Sequence, residues 1–443
     1  MPASHLPNSL SEVQRRTFLK ALGVGAAGVG LAPLLAACTG ASSGNSGGGG
    51  SSSNASKTTT VGSNYSDAVP KAAFAKMIGG WQNESGDTAT INTVAHNDFQ
   101  NNINNYLQGS PDDVFTWFAG FRMRYYAKKG LVTPIDDVWQ KIGSNMSDAF
   151  AKASTGDDGK KYLVPLYNYP WAVFYRKSVF QSKGYQTPTK WDEFVALCQQ
   201  MKKDGITPIA FADKDQWPAL GTFDYLDMRL NGYDFHIALM AHQKSWDSPE
   251  VKKVFDTWKQ ILPYHDLNGA LGRTWQESAQ TLLNKKTGMY LLGSFVAQQF
   301  TGADLQDLDF FTFPEIDPQY GQDAIEAPID GLMLSKKGAG NAAAISLLEY
   351  CGTGKGQSLY IATDPSDVAA AKDADTSKYN AIQKKSADVI SKAKNISQFL
   401  DRDALPAFAT DVMEPALQNF IKNQTFDAAG VEAQAKQVYA STS

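Results

Sequence analysis

Thr88-Ala89-Thr90-Ile91-Asn92-Thr93-Val94, then Phe99, Ile103 and Leu107, then Asp112-Asp113-Val114-Phe115-Thr116-Trp117: these residues decide the fold of this chain. The first run alternates apolar and polar side chains, the period of a strand. The three apolar residues that follow are spaced as one stripe of a helix, and the last run reads as the next strand. Strands that alternate with helices predict a mostly parallel sheet covered on both faces, and so an α/β fold. In such sheets the ligand crevice lies beyond the carboxyl ends of the strands. Asn64, Tyr65, Asn97, Trp117 and Phe118 each follow or end an apolar run, which puts them at a common rim.

The pattern continues on both sides. Upstream, Val69, Ala73, Phe74, Met77, Ile78 and Trp81 mark an amphipathic helix, with Ser66 or Asp67 as its cap. Downstream, Trp191, Phe194, Val195, Cys198 and Met201 recur at helical spacing, as do Ala344, Leu347, Leu348 and Cys351. Both cysteines therefore read as small buried hydrophobes and not as a disulfide. Lys57–Ser443 is too long for one simple core and suits two lobes. A net charge of −4 argues against nucleic acid, because nothing would neutralise phosphates.

The first residues read as an address label followed by an anchor. Arg15-Arg16-Thr17-Phe18-Leu19-Lys20 is a twin-arginine export motif that opens an Ala/Gly/Leu run. The run ends in Leu35-Ala36-Ala37-Cys38, which resembles the lipobox of bacterial lipoproteins and predicts lipidation at Cys38. Residues 1–37 are then a signal peptide and 38–56 a lipidated cysteine with a Gly/Ser leash. About 18 residues of such coil reach on the order of 25 Å, enough to hold a folded body off the lipid. The expected location is extracytoplasmic, tethered to the cell membrane by lipid alone.

Longer motifs carry a family resemblance. Gly109-Ser110-Pro111-Asp112-Asp113-Val114, Trp117 and Ala127-Lys128-Lys129-Gly130-Leu131-Val132-Thr133-Pro134-Ile135-Asp136 form its early part. Gly159-Lys160-Lys161-Tyr162-Leu163-Val164-Pro165 then leads through Ala172-Val173-Phe174-Tyr175-Arg176-Lys177 to Pro188-Thr189-Lys190-Trp191-Asp192-Glu193-Phe194, and Gly288–Phe295 follows. Together they resemble extracellular solute-binding proteins of family 1, the maltose-binding type that feeds sugar ABC importers. The resemblance implies a two-lobed periplasmic-binding-protein (type II) fold with a hinge. Lobe 1 would hold 57–168 plus 313–354, and lobe 2 169–312 plus 355–443. It also implies a monomeric, non-enzymatic receptor that presents a carbohydrate, expected to be an oligosaccharide, to ABC permease subunits. Thr189 with Asp192 reads as a capping-box-like start for the Trp191–Met201 helix, and Gly205 stops it.

A pyranose offers apolar C–H faces to aromatic rings and hydroxyls to Asp, Asn, Gln and Arg. The resemblance places Trp117, Tyr167, Tyr169, Trp171, Trp217 and Phe295 where family members have cleft residues, with Phe295 standing where a stacking Trp is usual. Asp224 and Asp330, the latter beside Gly331, are candidate hydroxyl acceptors. Trp275 is a weaker candidate, whereas Trp139, Trp191, Trp246 and Trp258 read as helix packing. No metal and no cofactor is expected: Asp213-Lys214-Asp215 starts like a calcium loop, but Pro218 stands where glycine is needed. Gly352-Thr353-Gly354-Lys355-Gly356 lacks the Ser or Thr of a phosphate loop. Two other readings stay open, a non-sugar solute such as a glycerol-phosphate ester and a lipid-anchored glycoside hydrolase. Arg122, Arg273 and Arg402 are the cations available to a phosphate.

Overall fold

The computed structural model describes residues 56–441. The export motif, Cys38 and the Gly/Ser run up to Ala55 lie outside the described residues. In chain order the strands begin β1 Thr58–Ser63, β2 Thr88–Thr93, β3 Val114–Phe118, β4 Val132–Thr133 and β5 Leu163–Asn168. β6 Trp171–Arg176, β7 Thr207–Ala210, β8 Thr287–Gly293 and β9 Leu308–Phe311 come next. β10 Ala324–Glu326, β11 Ile329–Ser335, β12 Val368–Ala369 and β13 Asn395–Ser397 complete the series.

These strands make two main sheets, one per lobe. The larger runs β12-β5-β11-β3-β1-β2, with β4 also on β11, and the smaller runs β7-β8-β6-β9. β1 pairs in parallel with β2 and β3, as the alternation of helix and strand requires. The expected parallel sheet is nevertheless mixed, because β11 runs antiparallel to β3, β4 and β5. The reason is connectivity. β11 does not follow a helix of its own lobe; it returns from the smaller sheet after β9.

The chain first crosses between the sheets at Tyr169-Pro170, where β5 ends and β6 begins. Proline fixes its own φ and restrains the residue before it, so this crossing is short and stiff. The peptide oxygen of Pro170 is held by the Ser294 N–H at 3.0 Å, which ties the crossing to the end of β8.

Local signals behave as chemistry dictates, with two differences. Asp67 precedes the Ala68–Ser85 helix but makes no side-chain cap bond. It faces Gln276 instead, with both carboxylate oxygens 3.3 Å from the amide nitrogen, while Ser66 Oγ accepts the His96 N–H. The Trp191–Lys203 helix is capped by Glu193 and not Asp192: Glu193 Oε2 accepts the N–H of Thr189 and of Lys190. Gly205 follows that helix with φ +77, the left-handed stop expected of it. Cys198 and Cys351 are free and buried.

Trp117 and Gly331 show how the larger sheet fills. Trp117 is 1% exposed and packs with Phe99, Phe115 and Tyr126 under the sheet. Gly331 sits mid-strand between β3 and β5. A Cβ there would lie 2.3 Å from the Val164 carbonyl oxygen, so only glycine lets the strands close. Gly331→Ala is expected to lower unfolding free energy by roughly 1–3 kcal/mol in urea titration. Unchanged stability would refute that role.

Candidate functional site

Between the lobes lies a cavity of about 390 Å³, near the lower end of the roughly 300–1,000 Å³ range of small-molecule sites. From the larger sheet come Asn64 and Tyr65 after β1, His96 and Asn97 after β2, Tyr167 on β5 and Asp330 on β11. The smaller sheet's lobe gives Asp215, Trp217, Trp275, Gln276, Phe295 and Gln298. Tyr169 and Trp171 come from the crossing, and Phe399, Asp401 and Arg402 from the segment after β13.

Each wall has a structural cause. Asn64 is 1% exposed; its Oδ1 accepts the Thr116 hydroxyl at 2.8 Å and its backbone N–H donates to Thr116 Oγ at 2.9 Å. That fixes the amide, whose Nδ2 has no hydrogen-bond partner among the described residues. A buried donor of this kind costs free energy until something accepts from it. The ladder between β5 and β11 slips at Asp330/Gly331, the kind of irregularity that re-aims side chains. Tyr167 and Asp330 turn into the cavity there, and the Tyr167 hydroxyl donates to Asp330 Oδ2 at 3.2 Å.

Arg402 fills the floor. Its Nη1 lies 2.6 Å from Asp330 Oδ1, its Nη2 donates to the Tyr169 hydroxyl at 2.9 Å, and its guanidinium covers the Phe118 ring at 4.0 Å. Asp401 pairs with Arg122 at 3.4 Å. Burial pushes the Asp330 carboxyl up, and Arg402 partly opposes this. Burial, then repulsion from Asp364, pushes Asp367 up as well. His96 is lowered to about 4 by burial and by Arg402, so its ring is neutral at physiological pH. It lies 3.1 Å from the Gln100 amide. The cavity thus holds Asp67, Asp98, Asp215, Asp330, Asp367 and Asp401 against one guanidinium.

Two polar pairs cross the mouth. Asn97 Nδ2 donates to Asp215 Oδ1 at 2.9 Å, and Gln276 reaches Asp67. Burial raises both carboxyls, and Asp215 raises Asp67 further.

Of the residues expected at the site, Asn64, Tyr65, Asn97, Tyr167, Tyr169, Trp171, Trp217, Phe295 and Asp330 line this cavity. Trp117, Phe118, Asp224 and Gly331 do not, and each has a reason. Successive strand residues face opposite sides of a sheet, so Trp117 points away from the face that Thr116 and Phe118 share. Phe118 is on the cavity side but lies beneath Arg402. Asp224 is buried in the Pro218–Asn231 helix and accepts the Leu400 N–H at 2.8 Å, and Gly331 is interior to its sheet. His96, Asp215, Gln276, Gln298, Asp367, Phe399 and Asp401 were not expected from sequence. Trp275, the weaker sequence candidate, and Arg402, a cation that sequence offers only to a phosphate, also line it.

Glu414 packs behind this floor, 8% exposed, and burial with Asp401 nearby raises it to about 8 against the opposing pull of Arg122. The folded protein keeps that proton, whereas the unfolded chain releases it at the ordinary value near 4.5. Its contribution is therefore complete below the unfolded value and is lost as pH rises through about 8. The melting temperature is expected to fall between pH 5 and pH 9. Glu414→Gln should flatten that fall, and an unaltered slope would refute the assignment.

The model of the bacterial extracellular solute-binding protein family matches residues 59–358. The solved structure of the bacterial solute receptor AcbH is 51% identical, covers 86% of this chain and 99% of its own, and superposes with a TM-score of 0.84. A chitin oligosaccharide binding protein, 18% identical over 86% of this chain and 98% of its own, has the same fold with a TM-score of 0.76. An uncharacterized ABC transporter extracellular-binding protein of Pyrococcus horikoshii is 27% identical over 63% of this chain. The match spans 62% of that relative's length. The chain belongs to the bacterial extracellular solute-binding protein family.

Proposed function

We propose that this chain is a receptor that closes its two lobes around a neutral sugar and presents it to the permease subunits of an ABC importer. The observation that carries the reading is the cavity's chemistry. Aromatic rings line it, Tyr65, Tyr167, Tyr169, Trp171, Trp217, Trp275, Phe295 and Phe399, and carboxyls outnumber the one guanidinium. Rings accept a sugar's C–H face, and carboxyls and the free Asn64 amide take up its hydroxyls. A phosphate ester would meet six carboxyls, and Arg402 is already committed to Asp330. The family is one of receptors and not enzymes.

β-D-Galactopyranose is the first candidate ligand, because AcbH is described as having an exclusive substrate preference for it. The lining residues of the cavity are the proposed ligand contacts. Lobe 1 is proposed to follow the larger sheet, including β12, and lobe 2 the smaller sheet, with Tyr169-Pro170 as one hinge strand. Among the described residues no helix is long and apolar enough to cross a membrane. Export by the twin-arginine route, an extracytoplasmic location through lipid on Cys38, and a monomeric state complete the reading; the leash would keep the receptor near its importer.

Calorimetric titration should give saturable binding of D-galactose and none of glycerol 3-phosphate, and the sugar should be recovered uncleaved. Binding of the phosphate ester alone would overturn the reading. Trp217→Ala should weaken galactose binding about tenfold or more without lowering the melting temperature, since Trp217 is part-exposed at the wall. Unchanged affinity would remove it from the contacts.

A further inference from the structure

Among the non-glycine residues at positive φ in the described residues, Phe399 stands apart. The other non-glycine residues at positive φ, Gln216, His242, Lys285 and Gln424, lie between 54° and 69°, the ordinary left-handed region. Phe399 has φ 97° and ψ 142°, a region that glycine alone adopts freely. A strained residue persists only where its surroundings over-determine it, and such residues gather at ligand clamps.

The surroundings are explicit. On the N-terminal side, Asp403 Oδ2 accepts the Gln398 N–H at 2.8 Å, and Gln398 Oε1 accepts the Ile329 N–H at 3.0 Å, beside Asp330. On the C-terminal side, Asp224 Oδ2 accepts the Leu400 N–H at 2.8 Å. The Phe399 carbonyl itself accepts the N–H of Arg402 and of Asp403, both at 2.9 Å. The peptide is thus fixed from the larger sheet and from the Pro218–Asn231 helix at once. If only this turn were needed, glycine would make it without strain. The ring is the remaining reason, and it lies 4% exposed in the cavity wall with its centroid 4.7 Å from that of Trp171. Gly221 leaves the room: a Cβ there would lie 2.4 Å from Trp171 and 3.1 Å from Phe399.

We propose that Phe399 is a specificity-determining residue whose ring, fixed in a geometry suited to glycine, closes the cavity to ligands larger than one pyranose ring. This rests on the neutral-sugar reading and adds to it the size of the ligand and the residue that enforces it. Removing the ring opens the wall beside Trp171 and admits a second ring. Glycine at this position would also relieve the backbone.

The test is calorimetric titration of D-galactose and of the disaccharide lactose into the purified wild-type protein, Phe399→Gly and Phe399→Ala, with melting curves for all three. Wild type should prefer galactose by about tenfold or more. Both variants should lose about tenfold in galactose affinity and bring the two sugars close to equal. Phe399→Gly should melt no lower than Phe399→Ala, because alanine keeps the unfavourable φ. Wild type that takes lactose as well as galactose overturns the inference, and so do variants that keep the wild-type preference. Those results leave galactose binding, and the receptor reading, standing. Wild type that binds neither sugar sinks the sugar reading and this inference with it.

Discussion

Burying a guanidinium costs several kcal/mol unless its charge and its N–H groups are matched. Arg402, 6% exposed, meets most of that requirement with groups from separate parts of the fold: Asp330 on β11, Tyr169 in the crossing, and the face of Phe118 on β3; its Nε alone has no hydrogen-bond partner among the described residues. Its neighbour Asp401 is matched by Arg122 on the helix after β3. Taking away Asp330 leaves a buried charge uncompensated, and taking away Tyr169 leaves a buried N–H unmatched. The segment after β13, the crossing and the middle of the larger sheet are therefore locked into one arrangement, and the cavity floor is that arrangement.

What the floor fixes, the walls use. Arg402 spends its charge on Asp330, so the positive potential available to a ligand is small. The same burial raises Asp330 and Asp367 and lowers His96 to about 4, so the floor offers a ligand little free positive charge beside the apolar rings. Phe399, three residues before Arg402, is held by bonds that reach both lobes. A ligand in contact with that ring would touch a peptide whose position depends on how the lobes meet. Closure is then favoured by contacts made to both lobes at once, the only way a ligand shifts such an equilibrium.

Much of this was legible in the sequence. The period of Thr88–Val94 and the stripe of Phe99, Ile103 and Leu107 report local geometry, and local geometry is what periodicity encodes. The rim residues after β1 and β2 followed from the general rule for strand ends. The rule failed at β3 for two physical reasons. One residue of register decides which face Trp117 takes, and the rule does not carry register. The cover over Phe118 comes from Arg402, which is remote in sequence. The antiparallel entry of β11 is likewise a fact of long-range connectivity. Phe399 and Asp367 carry no local pattern, because what brings them to the cavity is the return of the chain between lobes, and Gln298 sits in a short helical turn after β8 that no periodicity marks. Asp224, expected to take a ligand hydroxyl, instead accepts the Leu400 N–H, a partner equally remote in sequence.

The same energetics decide why a polyol suits this site. Asn64 has a buried donor without a partner among the described residues, while Asp330 and Asp367 are raised carboxyls whose charged forms burial disfavours. A phosphate would add negative charge to that set, and a hydrocarbon would leave the Asn64 donor unsatisfied at a cost of about 1–3 kcal/mol. A hydroxyl both donates and accepts, so one group can answer Asn64 and a carboxyl together. At the mouth, Asp67 and Asp215 repel each other while Gln276 and Asn97 pull the lobes together. Contacts across the mouth therefore act in both directions, and a ligand shifts the lobes only through the contacts it makes to both at once.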